Sequence, residues 1–272
     1  MSVDAPVTTG PGGDRFAVAR ELTPELLRGL SEYFDPLLPH FARETLRSGG
    51  EVRVRPGPGG TARALYLFHP VEGEASVFTP EPELAEEYRA LRPGVGLYSD
   101  FRLVPNSLEL RVYERTTEGD GEKHRYTHPV RLADRTDHSS VASVLRSVNG
   151  TVDERWISTA EPGVEDCLVV DGPRELAGVG WATRVGAFGR LHSLAVRPEF
   201  RRAGIGTDLF WARWEWLRRS GVRSVVTEIA EDNAGSRAIA EAGGLRTIGR
   251  IYRAGPIGRL TGSALRSGAP RS

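Results

Sequence analysis

The sequence predicts a mixed α/β fold, with strands and helices gathered on a mixed sheet in each of two halves. Three observations carry that expectation. The chain has 272 residues, 39% hydrophobic and 26% charged, the ordinary balance of a globular protein at a length that suits two domains. Strand-like runs alternate with helix-like runs along its length. A glycine-rich turn, RRAGIG at Arg201–Gly206, stands between a strand-like run and a helix-like one, the pattern of a β-α-β crossover.

The expected layout has a loose Pro/Gly/Thr-rich tail at 1–13, a first α/β domain at 14–118, a second domain at 124–256 and a flexible tail of small residues and arginines at 257–272. The boundary is set by RTTEGDGEKH at 115–124, which is polar, rich in turn formers and flanked by strand-like runs.

In the first half, LTPELLRGLSEYFDPLLPHFARETLRSG reads as broadly helical, interrupted before Pro36 and Pro39. EVRVRPG, ARALYLFHP and EASVFTP read as strands. PELAEEYRALRPG is a helix with proline at its start and Pro-Gly at its stop. GVGLYSDF and LELRVYE are further strands. No chemical motif stands out here; His40 and His69 have no partner at metal-ligand spacing and are expected to be structural.

The second half runs strand-helix (HPVRLADRTDHSSVASVLRS), then a hairpin of EDCLVVDG and ELAGVGWATRV around GPR, then the strand GRLHSLAVRPEF ending at Pro198. The glycine turn and a helix over 205–219 follow. RSVVTEIAE is a buried-type strand, and NAGSRAIAEAGG is a short helix capped by Asn233 and stopped by Gly243-Gly244. LRTIGRIYRA supplies one or two last strands. The expected order is β-α-β-β-β-α-β-α-β.

Bulk properties narrow the function classes. Formal net charge is zero, so no strong field points to nucleic acid or an anionic membrane. One cysteine, Cys167, leaves no internal disulfide and no cysteine-based zinc site; in the apolar run CLVV it is expected to be a buried structural thiol. The start MSVDAPVTTGPGG lacks the basic-then-apolar pattern of a signal peptide, and no apolar run approaches the ~20 residues that span a bilayer. A cytoplasmic location, with no metal, nucleic acid or membrane partner, is the expectation.

The turn at Arg201–Gly206 carries the chemistry. A glycine-rich entry to a helix leaves backbone N–H groups without intrahelical acceptors, at the positive end of the helix dipole. Such a terminus takes an anion, most often a phosphate. No lysine follows the glycines, so this is not a P-loop, and the third glycine of a dinucleotide fingerprint is replaced by Leu209.

The longer run LHSLAVRPEFRRAGIGTDLF, followed about thirty residues later by NAGSRAIAEAGGL, resembles the Gcn5-related N-acetyltransferase (GNAT) superfamily. The family signature Gln/Arg-x-x-Gly-x-Gly/Ala is met by Arg201, Gly204 and Gly206, and the resemblance covers about 125–255. It implies a GNAT fold in the second half. It also implies acetyl-CoA as co-substrate, its pyrophosphate on Arg201, Arg202, Ala203, Gly204, Ile205, Gly206 and Thr207. The pantetheine arm would lie along the backbone of Leu194, Ala195 and Val196, with Asn233 and Ser236 near its thiol end; Asn233 is equally readable as a plain helix cap. The first half, which echoes the order of the fold without the signature, would be a degenerate second copy, as in tandem GNAT proteins, serving as a wall of the acceptor cleft or as a dimerisation or stability module.

An alkylammonium of pKa about 10 must lose a proton before it attacks a thioester, so a base is needed and a donor to the departing thiolate. Glu228, five residues before Asn233, matches the base of ribosomal-protein N-terminal alanine acetyltransferases. His192 matches a histidine of arylalkylamine acetyltransferases and suits the role at neutral pH. The family's usual tyrosine donor would fall at position 240, which is Ala240; Tyr252 is the candidate substitute. Trp211, Trp214 and Trp216 are expected in the core, and Trp181 on the acceptor side. The expected function is direct transfer of an acetyl group from acetyl-CoA to a primary amine of a peptide or small molecule, in a ternary complex. The alternative is a non-catalytic acyl-CoA sensor or interaction module.

Overall fold

The structure is a computed structural model and describes residues 17–19, 37–47, 49–58, 61–69, 74–91, 95–118, 124–150, 152, 154–158 and 160–254. Both expected tails and the part of the first helical run before residue 37 lie outside the described residues. In chain order the elements are β1 (Ala17–Ala19), α1 (Leu38–Arg47), β2 (Glu51–Pro56), β3 (Ala62–His69), β4 (Glu74–Phe78), α2 (Pro82–Leu91), β5 (Gly96–Ser99) and β6 (Leu108–Thr116). Then come β7 (Arg131–Leu132), α3 (His138–Asn149), α4 (Glu154–Ser158), β8 (Glu165–Asp171), β9 (Leu176–Val185), β10 (Phe188–Val196), α5 (Ile205–Arg219), β11 (Ser224–Ala230), α6 (Ala234–Ala242) and β12 (Arg246–Ala254). The five-residue α4 is an addition to the sequence reading: it spans little more than one turn, too short for a 3.6-residue period to register.

Among the described residues, tertiary contacts group 17–110 with 250–254, and group 111–249 separately. The first unit has the strand order β1-β2-β3-β4-β5-β12. β2, β3 and β4 pair antiparallel, β4 and β5 pair parallel across α2, and β12 closes antiparallel on β5 with Tyr252 opposite Ser99. Alternation along β3 feeds both faces. Leu65 and Leu67 pack with Leu38 and Ala42 of α1, while Ala64 and Tyr66 pack with Leu84, Ala85 and Tyr88 of α2. The rings of Tyr66 and Tyr88 stack with centroids 4.4 Å apart. Burial pushes the Tyr66 hydroxyl up to about 12. His40 is buried in this unit.

The second unit has the order β6-β11-β10-β9-β8-β7. β8, β9 and β10 are antiparallel, and β10 and β11 are parallel across α5. Alternation again feeds two faces. Cys167 and Val169 of β8 meet Val141, Val144 and Leu145 of α3, while Leu168 and Val170 meet Ile205 and Leu209 of α5. Trp211 and Trp214 are buried with Leu217, Leu191 and Val225, and Trp216 is partly buried against them. Each such ring removes ~200 Å² from water, about 5 kcal/mol of transfer free energy. Cys167 is buried, and burial pushes its thiol up. The entry to α3 is fixed by a capping box: Asp134 accepts from the Thr136 N–H at 2.7 Å, and Asp137 accepts from the Asp134 N–H at 2.9 Å.

Candidate active site

The site is built where β10 parts from β11. Their parallel register runs from Phe188↔Ser224 to Arg190↔Val226 and goes no further. The other edge of β10 stays on β9, but not in one register. His192 faces Trp181, then Ala195 faces Val179, so one extra residue sits on β10. That is a β-bulge, and Ser193 within it has φ 51°, the left-handed region that non-glycine residues enter at a cost. The bulge follows closely on Arg190, the last residue of β10 in register with β11. It leaves the backbone of Leu194 and Val196 beside the opening, with their side chains packed toward Ile205 and Leu209. Ala195 points to the opposite face, among the α3 contacts.

Arg197 anchors the end of β10. Its Nε donates to the Leu176 carbonyl at 3.0 Å, its Nη2 to the Ser143 hydroxyl at 2.9 Å, and it pairs with Glu175 at 2.6 Å. The chain then makes one 3-10 turn over Pro198–Phe200 and reaches the glycine turn. Gly204 has φ 91° and caps α5, a conformation that costs a residue with a Cβ ~1–2 kcal/mol. Thr207 and Asp208 both donate their backbone N–H to the Gly204 carbonyl at 3.0 Å. The five N–H groups from Arg202 to Gly206 donate to no backbone acceptor among the described residues. Residues 201–204 are exposed. A Cβ on Gly206 would stand 3.0 Å from Ile239 Cδ1, so glycine here makes room for the α6 side chain against the head of α5. Arg201 Nε returns to the Val196 carbonyl at 3.1 Å and ties the turn to β10. The result is a row of such N–H groups at a helix N-terminus, the local requirement for binding an anion.

Behind the turn lies a feature that sequence reading missed. Asp208, 1% exposed in the first turns of α5, accepts from His124 Nε2 at 2.7 Å and His128 Nδ1 at 2.8 Å. It also accepts from the backbone N–H groups of His128 at 2.9 Å and Thr127 at 3.3 Å. Burial alone would raise its carboxyl, but the two histidines and two amides together hold it below the ordinary carboxylate range. The His124 ring also stacks on Trp211 at 5.7 Å. A segment some eighty residues upstream is thereby fastened to the helix that presents the turn.

The two candidate bases share one sheet face. Arg190 and Val226 are register partners, and period-two alternation puts His192 and Glu228 on their side. Arg190 grips Glu228 with two hydrogen bonds, one of 3.2 Å from Nε and a shorter one from Nη2. The side chains of that pair are only 11% and 12% exposed. His192 Nε2 lies 2.8 Å from the Thr183 hydroxyl and Nδ1 3.2 Å from the Ser193 hydroxyl. Trp181 stacks behind its ring at 6.5 Å and is itself 2% exposed; it is a core residue backing His192 rather than a lining residue. Asn233 caps α6, accepting from the Ser236 N–H at 3.2 Å. Ala240 is buried with Tyr113 and Phe210. Tyr252 belongs to the first unit, where the Arg102 guanidinium lies 4.8 Å over its ring. Among the described residues no group of His, Cys, Asp and Glu could hold a metal, and no helix is long and apolar enough to cross a membrane.

Comparison with known proteins agrees with this geometry. Residues 139–244 match the sequence model of the acetyltransferase (GNAT) family. No curated protein matches the chain. Among solved structures, a GCN5-related N-acetyltransferase from Sphaerobacter thermophilus is similar at 17% identity and TM-score 0.57, covering 92% of this chain and 99% of that one. One from Kribbella flavida is similar at 12% identity and TM-score 0.58, over 82% of this chain and 95% of that one. A Drosophila protein gives TM-score 0.64 at 15% identity, over 89% of this chain and 98% of that one. At such identities the likeness is one of fold. The glycine turn, the parted strands and the family match fall on the same stretch, and the chain therefore carries an acetyltransferase domain of the GNAT family in its second unit.

Proposed function

We propose that the protein transfers an acetyl group from acetyl-CoA to a primary amine by direct attack in a ternary complex. The observation that carries this reading is the row of N–H groups over 202–206 that have no backbone acceptor among the described residues, at the head of α5 where β10 leaves β11. The pyrophosphate fits those donors. The extended pantetheine arm fits the exposed edge of β10 at Leu194–Val196, where it can hydrogen-bond as an added strand would.

The face bearing Arg190, His192 and Glu228 receives the amine in this reading. His192 takes the ammonium proton through one of its hydroxyl partners, because a neutral imidazole has its proton affinity near physiological pH. Glu228, with both oxygens held by Arg190, serves as a fixed negative charge for the incoming cation. The freed amine forms the C–N bond as the C–S bond breaks, the nitrogen sheds its second proton, and that proton is relayed to the thiolate, which leaves as CoA thiol. Ala240 offers no hydroxyl for that last step, so water carries the proton from the nitrogen to the sulfur.

The first unit is proposed to be a degenerate copy of the same fold. Its β2-β3-β4, α2, β5 sequence repeats the antiparallel-then-parallel order of β8-β9-β10, α5, β11. Its β4–α2 connection offers no anion cradle: Pro80 and Pro82 have no N–H, and the Glu81 N–H donates to the Thr79 hydroxyl at 3.1 Å.

Calorimetric titration with acetyl-CoA tests the reading, with Gly204→Glu and Gly206→Glu as controls. Binding by the wild type, lost in both variants with unchanged circular dichroism, is expected. Unimpaired binding in both would sink it. Release of CoA thiol with a panel of amines then tests transfer, and binding without release under any amine would return the sensor reading.

A further inference from the structure

The apolar face of α5 contains one residue that does not belong there by polarity. Leu209, Phe210, Trp214 and Leu217 are buried on it, and so is Arg213, 2% exposed. No carboxylate pairs with Arg213 among the described residues. Its partners are carbonyls: Nε donates to Leu209 in its own helix at 3.0 Å, and Nη1 donates to Trp181 at 3.2 Å and to His192 at 3.1 Å. Trp181 and His192 are the last register pair before the bulge. Room for the guanidinium exists because position 180 is glycine; a Cβ there would stand 2.8 Å from Arg213 Nε. Burial pushes the guanidinium down to about 10, a sign of how unfavourable the site is for a cation. A fold needing only a well-packed helix would place an apolar side chain here, since buried charge is commonly replaced by apolar residues at no loss of stability.

We propose that Arg213 is a positioning residue for acyl transfer, which pins the His192 and Trp181 carbonyls and so sets the bulge where β10 leaves β11 and aims the His192 ring. This rests on the acetyltransferase reading above. A trans peptide is planar with its carbonyl and N–H opposed, so a His192 carbonyl fixed on Arg213 turns the Ser193 N–H away from the helix. The same constraint holds Ser193 in its left-handed conformation and its hydroxyl beside His192 Nδ1.

The test uses the full chain and three variants: Arg213→Met, which keeps the length without the charge; Arg213→Lys, which keeps the charge but not the planar fork; and Gly180→Ala, which displaces the guanidinium from the other side. For each, thermal unfolding, acetyl-CoA affinity, kcat and KM with the best amine, and amide hydrogen exchange at 192–194 are measured. Arg213→Met is expected to melt at or above the wild-type temperature, to bind acetyl-CoA within threefold, and to lose ~10–100-fold in kcat with KM little changed, since only transition-state alignment is lost. Exchange at 192–194 should speed up. Arg213→Lys should recover part of kcat, and Gly180→Ala should reproduce the kcat loss. Wild-type kcat and unaltered exchange in Arg213→Met would overturn the proposal. So would an unfolded Arg213→Met beside Arg213→Lys and Gly180→Ala variants whose activity falls only with the folded fraction. If the wild type releases no thiol with any amine, the transfer reading has failed, and hydrogen exchange still decides whether Arg213 sets the bulge.

Discussion

Glu228→Gln separates the structural from the chemical role of the Arg190–Glu228 pair. The substitution keeps size and one acceptor oxygen but removes the charge. With side chains 11% and 12% exposed, the pair is nearer the buried than the surface case. Breaking a buried pair costs ~3–5 kcal/mol and losing an exposed one ~0.2–1 kcal/mol, so with one oxygen still accepting from Arg190 the loss should be ~1–3 kcal/mol. For a domain of this size that lowers the melting temperature by ~3–10 °C. If His192 is the base, Glu228→Gln should lower kcat by no more than ~10-fold, while His192→Ala costs ~10²-fold or more. The assay is thiol release under saturating acetyl-CoA, with melting followed by circular dichroism. A melting temperature equal to wild type would refute the reasoning about burial. A larger kcat loss in Glu228→Gln than in His192→Ala would transfer the base role to Glu228.

Two further outcomes are expected. Asp208→Asn should destabilise the protein, and the gap from wild type should depend on pH with a definite sign. The carboxyl is held below its ordinary value of 3.8, so its contribution is complete above that value and is lost as pH falls through the lower folded one. Melting curves from pH 7 down should therefore show a steady gap that closes only below about pH 4; closure near pH 6 would contradict it. Titration with acetyl-CoA should give one site per chain, because two prolines and the Thr79-bonded amide of Glu81 break the β4–α2 connection, which has no run of donors like that over 202–206; two equivalent sites would refute this.

Much of the second unit could be read from the sequence because its signals are local. Gly204 and Gly206 stand two residues apart ahead of an unbroken helix, and the structure gives Gly204 the positive φ that only glycine takes without strain. Asn233 reads as a cap and is one. What could not be read is what depends on distant partners. Nothing in HSL at 192–194 marks a bulge, because Ser193 is not glycine and its conformation is imposed by packing. Arg213 within WARWEW looks like a solvated position on an amphipathic helix, and only the register of β9 against β10 reveals the carbonyls it serves. Asp208 lies 84 and 80 positions from His124 and His128, so no spacing rule connects them. The pairing of β12 with β5 is equally non-local: the strand reads as a strand, but its neighbour is fixed by tertiary contacts.

That last pairing has a consequence for how the protein is made. Residues 250–254 cover β5 and bring in Arg253, which is 2% exposed and bonds Glu74 at 2.6 Å. A ribosome delivers Ser99 about 150 residues before it delivers Tyr252, an interval of ~8–30 s at ordinary elongation rates. Through that interval the edge of β5 has no strand beside it and Glu74 has no Arg253 to neutralise it, an exposure that invites mispairing. The unit synthesised first is thus the one obliged to wait, and its completion is timed by a strand delivered about 150 residues downstream.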